Sequence, residues 1–280
     1  MELKNEYIDL GDVDGIPHQL LFDEVAKVIS KDTVDIVNKN DKLVNPRDTF
    51  YTRYVKRTFD ILISGIILLL VLPINFVLMI LTYFDVGSPI IFKQKRVGKD
   101  GKLFNLIKFR NMTNEKNELG ELLPPDQRVT KLGKFVRKTS LDELINFWSV
   151  FKGDMSLIGP RPLAIQYNDR YSERHKKRTA VKPGLECPRI HNVDKCDTWA
   201  GQFENDIYYV ENVSFLLDLK MVWALISMVF NKKSSSMRGC ANRGSFIGYN
   251  KDGSSINSRK VSKYYFNLAV EEINKNKSNI

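Results

Sequence analysis

The stretch "ILISGIILLLVLPINFVLMILTYF", residues 61–84, decides how the rest of the chain is read. It contains 24 residues and no Lys, Arg, Asp or Glu, which is long enough for one helix to cross a bilayer. Two features favour a different course. Pro73 falls in mid-run with Asn75 just after it, and a proline there removes a helical hydrogen bond and frees the carbonyl of Leu69. Both flanks are also basic: Arg53, Lys56 and Arg57 before the run, and Lys93, Lys95, Arg96 and Lys99 after it. A spanning helix calls for one basic end. Two basic ends suit a hairpin that dips into the membrane and returns to the same anionic surface. The spacing therefore predicts a re-entrant helix-break-helix anchor over 51–88, ahead of a simple spanning helix.

Charge is unevenly distributed around that anchor. The chain of 280 residues carries a net +10, yet residues 1–50 are acidic, at −5, and residues 231–280 are basic, at +7. A basic body implies a polyanionic partner such as nucleic acid, an anionic membrane or a phosphorylated substrate. Three cysteines, Cys187, Cys196 and Cys240, make no disulfide framework, and their spacing around His191 matches no familiar zinc pattern. No apolar core follows Met1, so no cleavable secretory signal is expected. "LLFDEVAKVI" (20–29) reads as one short amphipathic helix belonging to an appendage.

Downstream, "IIFKQKRVGKDGKLFNLIKFRNM" (90–112) alternates on both sides of Asp100-Gly101, a strong hairpin signal. Its second strand delivers Lys108 and Arg110. Residues 113–127 read as a polar loop. "RKTSLDELINFW" (137–148) then places Asp142 and Glu143 at a predicted helix start, with Leu141, Leu144, Ile145 and Trp148 at helical spacing behind them. Ser140 to Glu143 fits an S-x-x-E capping box, and read alone this is a helix start. Arg128, Lys131, Lys134, Arg137 and Lys138 precede the acid pair, and Arg161 follows between Pro160 and Pro162, where its backbone is restricted. Carboxylates among fixed cations can hold a divalent cation or attack phosphorus. Residues 203–230 read as a helix or helix pair with an apolar end, and the tail from Asn231 as flexible up to a helix at "YYFNLAVEEI".

From "KRTFDILISG" (56–65) to "SFLLDLKM" (214–221), the chain resembles the bacterial sugar transferases, monotopic polyprenyl-phosphate hexose-1-phosphate transferases. The stretches that carry the resemblance are "FKQKRVGKDGKLFNLIKFRNM", "RVTKLGKFVRKTSLDELINFWSVFKGDMSLIGPRPL", "VKPG" and "DIYYVENVSFLLDLK", in the family's order and spacing. The resemblance implies that Asp142 is a nucleophile and Glu143 its acid/base or metal-organising neighbour. It implies a UDP-sugar donor, a polyprenyl phosphate acceptor and Mg2+. Lys108, Arg137 and Arg161 would bind substrate phosphates, with Arg110, Arg178 and Lys182 in second rank. The implied setting is the cytoplasmic face of the bacterial inner membrane, among its lipids and downstream glycosyltransferases.

The expected fold class is α+β, predominantly α. It comprises an acidic extension (1–50), the re-entrant anchor (51–88), a small helical catalytic domain with a short β-hairpin (89–230), and a basic, largely flexible tail (231–280). Two departures stand out. Leu72 precedes Pro73 where the family commonly has Ser. After Pro183-Gly184, "LECPRIHNVDKCDT" replaces the family's I-T-G-W-A-Q-V-N-G-R-N, which points to altered sugar or nucleotide recognition by Arg189, His191 and Asn192. Two further readings compete: a membrane-anchored scaffold that has lost turnover, and a membrane-attached nucleic-acid binder. The retained acid pair argues against the first. The second leaves the acid pair and the Pro-Arg-Pro unexplained, so no nucleic-acid partner is expected.

Overall fold

A computed structural model describes residues 6–13, 15–116, 120, 122–123, 125–188, 198–230 and 244–278. Helices dominate, and the strands are short and paired in twos. The chain divides into two compact units, one of residues 49–162 with 182–186, the other of 1–48, 163–181 and 187–280. The single catalytic domain expected over 89–230 is therefore shared between two bodies, because long-range packing rather than chain order sets the boundary.

The first unit begins with a π-helical turn, Tyr51–Val55, that continues into a helix over Lys56–Val86. Together they form a 36-residue run, long and apolar enough to cross a membrane. The helix is assigned without interruption and holds Pro73 inside it. In place of two helices separated by a break there is one helical element. Its buried residues are few and fall on one stripe: Asp60, Ser64, Leu78 and Thr82. Leu69, Leu70 and Leu72 in the middle are exposed.

Both ends of this helix are tied to the same small body. Near the start, Arg57 donates to the carbonyls of Val150 and Phe151, each at 2.7 Å. Asp60 accepts from Ser156 Oγ and the Leu157 amide, each at 3.0 Å. Near the end, Leu78 packs with Phe109 and Val136, and Asp85 accepts from the Thr130 hydroxyl.

The predicted hairpin is present. Ile91–Val97 pairs antiparallel with Leu103–Phe109, from Ile91 opposite Phe109 to Val97 opposite Leu103. The turn places Asp100 and Gly101 at positive φ, 54° and 77°, as an Asp-Gly hairpin requires. Helices over Lys131–Thr139 and Phe147–Lys152 follow, joined by a 3-10 segment, Leu141–Asn146. Strand Ser156–Ile158 then runs parallel to Gly184–Glu186. Here a Cβ on Gly184 would lie 2.1 Å from the Gly159 amide nitrogen, so only glycine permits this approach.

The second unit corrects the expectation of a separate extension and a flexible tail. The short helix expected at 20–29 is a 23-residue helix, His18–Asn40. Strand Tyr7–Ile8 pairs with Val261–Ser262, and Phe246–Tyr249 with Ser255–Asn257. Helix Lys263–Ser278 completes the C-terminal part. Leu21, Val25 and Ile29 share a core with Ile247, Val261 and Ile273. A second cluster joins Phe246 and Tyr249 to Tyr171 and Phe203. Apolar burial drives this union of chain ends, which local composition conceals. Helices Trp199–Asn212 and Phe215–Phe230 form the expected pair.

Candidate active site

The acid pair lies in the first unit, where one helix ends and the next begins. The helix Lys131–Thr139 starts at Thr130, whose hydroxyl accepts from the Gly133 amide at 2.8 Å. It ends at Ser140, which takes the left-handed conformation, φ 57°. An N-cap side chain needs extended backbone to reach its amide. Ser140 accordingly makes no side-chain cap hydrogen bond, and the predicted capping box does not form. The turn instead delivers Asp142 and Glu143 in the first turn of the 3-10 segment with their carboxylates in other hands.

Asp142 is buried at 5% exposure. Its Oδ2 accepts from Asn111 Nδ2 at 3.0 Å, and Asn111 Oδ1 accepts from Arg137 Nε at 2.9 Å. A carboxylate, an amide and a guanidinium thus form one chain. Burial pushes the Asp142 carboxyl above the usual carboxylate range, and the neighbouring Glu143 adds to the rise; the cations of Lys108 and Arg137 oppose it. Glu143 is more open. Its Oε1 meets Arg161 Nη2 at 3.2 Å and Lys108 Nζ at 3.7 Å. Arg161 is steadied by a second carboxylate, with Nη1 3.4 Å from Glu186 Oε2.

The structure therefore gathers Asp142, Glu143, Lys108, Arg137 and Arg161 into one cluster. The second-rank cations stand elsewhere. Arg110 turns toward the end of the membrane helix and donates to the Gly87 carbonyl at 3.1 Å, while its Nε and Nη1 are buried with no partner among the described residues. Burial, with Arg57 nearby, lowers the Lys182 pKa. Its surroundings are those of Arg57 and Asp60, not the acid pair. Arg178 belongs to the other unit and is buried against Asp206, with Nη2 2.6 Å and Nε 2.9 Å from the same Oδ2. That enclosed pairing engages Nε and Nη2 within the second unit. Arg189, His191 and Asn192 lie outside the described residues.

Sequence reasoning missed two residues. Asn111 couples Asp142 to Arg137; its only signal is its place in "KFRNM", directly after the strand that carries Lys108. Asn146 accepts from the Ile107 amide at 3.2 Å through Oδ1 and pins the acidic segment along the strand's edge.

Residues 51–232 match the family described as bacterial sugar transferase. The chain belongs to that family. Among its relatives is the uncharacterized sugar transferase EpsL of Bacillus subtilis, 41% identical over 62% of this chain and 87% of that protein. The UDP-glucose:undecaprenyl-phosphate glucose-1-phosphate transferase of Klebsiella pneumoniae is 37% identical over 64% of this chain. The undecaprenyl-phosphate galactose phosphotransferase of Salmonella typhimurium is 38% identical over 59%. The chain spans 41% and 36% of the lengths of these two longer sugar transferases. The match stops at residue 232, so the folded segment 244–278 lies beyond the part shared with the family.

Proposed function

We infer that this bacterial sugar transferase moves a sugar-1-phosphate from a UDP-sugar to undecaprenyl phosphate and releases UMP, in the first membrane step of a surface glycan pathway. The carrying observation is a buried carboxylate, Asp142, held by Asn111 beside a Glu143 that is gripped by two cations. In the first step an Asp142 oxygen attacks the β-phosphorus of the donor. The bond from that phosphorus to the bridging oxygen breaks, and its electrons leave with UMP. The sugar-phosphate is now an aspartyl phosphodiester. In the second step a phosphate oxygen of the polyprenyl acceptor attacks the same phosphorus, giving the lipid diphosphate sugar and restoring the carboxylate. Splitting one displacement into two is the usual use of a carboxylate nucleophile.

Lys108 and Arg161 border the position the donor's diphosphate must take, and they steady the charge that builds on its oxygens. Arg137 acts through Asn111, which keeps the Asp142 oxygen oriented. The donor set suits magnesium, which binds through one or two carboxylates and substrate phosphates: Asp142 and Glu143 would each contribute one carboxylate. Bound there, the metal would neutralise and polarise the diphosphate. The helix carries no break, so the re-entrant reading of the anchor is supported instead by its two docked ends, at Asp60 and Asp85, and its exposed apolar middle. It keeps the site at the cytoplasmic headgroup layer, where the acceptor's phosphate is found.

The test uses the full chain in nanodiscs with magnesium and a panel of UDP-sugars. Without acceptor, one donor should leave a sugar-phosphate adduct mapped to Asp142 and release an equivalent of UMP. Asp142→Asn should abolish both. An adduct on another residue, or product formed in one step with no adduct, overturns the mechanism.

A further inference from the structure

A cleft of about 610 Å3 lies in the same unit as the acid pair. That is within the range of small-molecule sites, yet the mechanism above does not use it. Ile91 and Ile107 form one wall, and Ile145 and Trp148 the other. The second wall comes from the 3-10 segment that carries Asp142 and from the helix that follows it. In a 3-10 segment each residue advances about 2 Å, so Ile145 sits roughly 6 Å along the axis from Asp142.

The cleft is continuous with the membrane anchor at both ends. Ile91 and Ile145 pack on the cluster that contains Leu78 of the long helix. At the far end the Trp148 ring lies over Phe151, centroids 5.9 Å apart, and Phe151 rests on Gly65 of that helix, where a Cβ would be 3.4 Å away. Trp148 remains half exposed. The apolar trough is thus flanked by side chains that pack on the long helix, and one of its wall residues, Ile145, lies one 3-10 turn along the chain from Asp142. Its rim carries Lys93, which makes no ion pair among the described residues, and Lys152, which is paired with Asp154. A free cation beside an apolar trough favours an anionic amphiphile.

We propose that this trough holds the first isoprene units of the polyprenyl phosphate acceptor, with the chain lying on Trp148 and its phosphate delivered toward Asp142. The assignment rests on the acceptor chemistry proposed above. The apolar walls exclude water from the chain, Lys93 selects a charged lipid, and the short step from Ile145 to Asp142 brings the attacking phosphate to the aspartyl phosphodiester.

The experiment uses the full chain in nanodiscs with a polyprenyl phosphate carrying a photoreactive group in its first isoprene units. Crosslinks should map to 89–91 and 145–148, and should be displaced by undecaprenyl phosphate but not by excess anionic phospholipid. Asn105→Trp, at an exposed strand position where Trp is well tolerated, narrows the trough. It should raise the acceptor KM about tenfold more than it alters acceptor-free UMP release. Crosslinks confined to the exposed face of the long helix, displacement by phospholipid, or an equal fall in UMP release would each overturn the assignment. Crosslinking does not depend on turnover, so a chain that labels correctly yet never releases UMP would sink the proposed reaction and leave the lipid site standing.

Discussion

Arg178→Met separates a structural cation from a substrate-binding one. Arg178 and Asp206 have side chains 4% and 2% exposed and meet at 2.6 Å. The guanidinium also lies over the rings of Tyr171 and Phe203, at 5.9 and 5.8 Å. Removing one partner strands the other charge in a dry interior, at a cost of about 3–5 kcal/mol. For a chain of this size each kcal/mol moves the melting temperature by roughly 2–4 °C, so the variant should melt roughly 6–20 °C lower. Arg178→Met combined with Asp206→Leu leaves no buried charge and should recover most of that loss. Thermal unfolding of the full chain in nanodiscs, followed by tryptophan emission, reads both effects, because Trp199 packs in the same aromatic cluster. If Arg178→Met melts like the wild type and raises the donor KM, the side chain binds phosphate and the structural reading is wrong.

Two further outcomes are expected. In the proposed reaction Asp142 must be ionised to attack, and its pKa is raised, so acceptor-free UMP release should fall away on acidification at a higher pH than an ordinary aspartate would give. Glu143→Gln removes a charge that raises this pKa and should move the acid limb down; Lys108→Met removes one that lowers it and should move the limb up. Shifts in the same direction would show that another group sets the profile. Phe246→Ala opens a cavity among Tyr167, Tyr171, Phe203 and Tyr249 and should cost about 3–5 kcal/mol of stability in denaturant titrations. No change would mean that the C-terminal strand is not part of the core.

What could be read from the sequence follows the range of the interactions. The apolar run at 61–84 and the Asp100-Gly101 turn are local signals: the turn gives the expected hairpin, and the run gives the expected apolar helix without the break expected at Pro73. The acid pair and Lys108, Arg137 and Arg161, grouped by the family resemblance and not by spacing, do lie together in the structure. The capping box failed for a local reason that the letters do not show: Ser140 turns left-handed to end the preceding helix. Arg178 looked like one more cation in a basic run, since its partner Asp206 lies 28 residues away. The pairing of Tyr7 with Ser262 joins the two ends of the chain, and no window of sequence contains both. The tail read as polar and flexible, yet all four residues of Phe246–Tyr249 are buried.

Asp142 faces opposing demands. In the proposed reaction burial excludes water that would hydrolyse an aspartyl phosphodiester, yet the same burial, with Glu143 alongside, disfavours the ionised form that must attack. The arrangement around it meets both. Arg137 does not touch the carboxylate; it holds Asn111, which donates to one oxygen. A direct guanidinium pair would stabilise the ionised form more strongly and make it a poorer nucleophile, whereas an amide donor orients the oxygen with less charge withdrawn. Lys108 and Arg161 are instead placed on Glu143, where the proposed reaction puts the donor's phosphates. In that reaction charge is concentrated where it develops during transfer, and Asp142 is left under a lighter constraint.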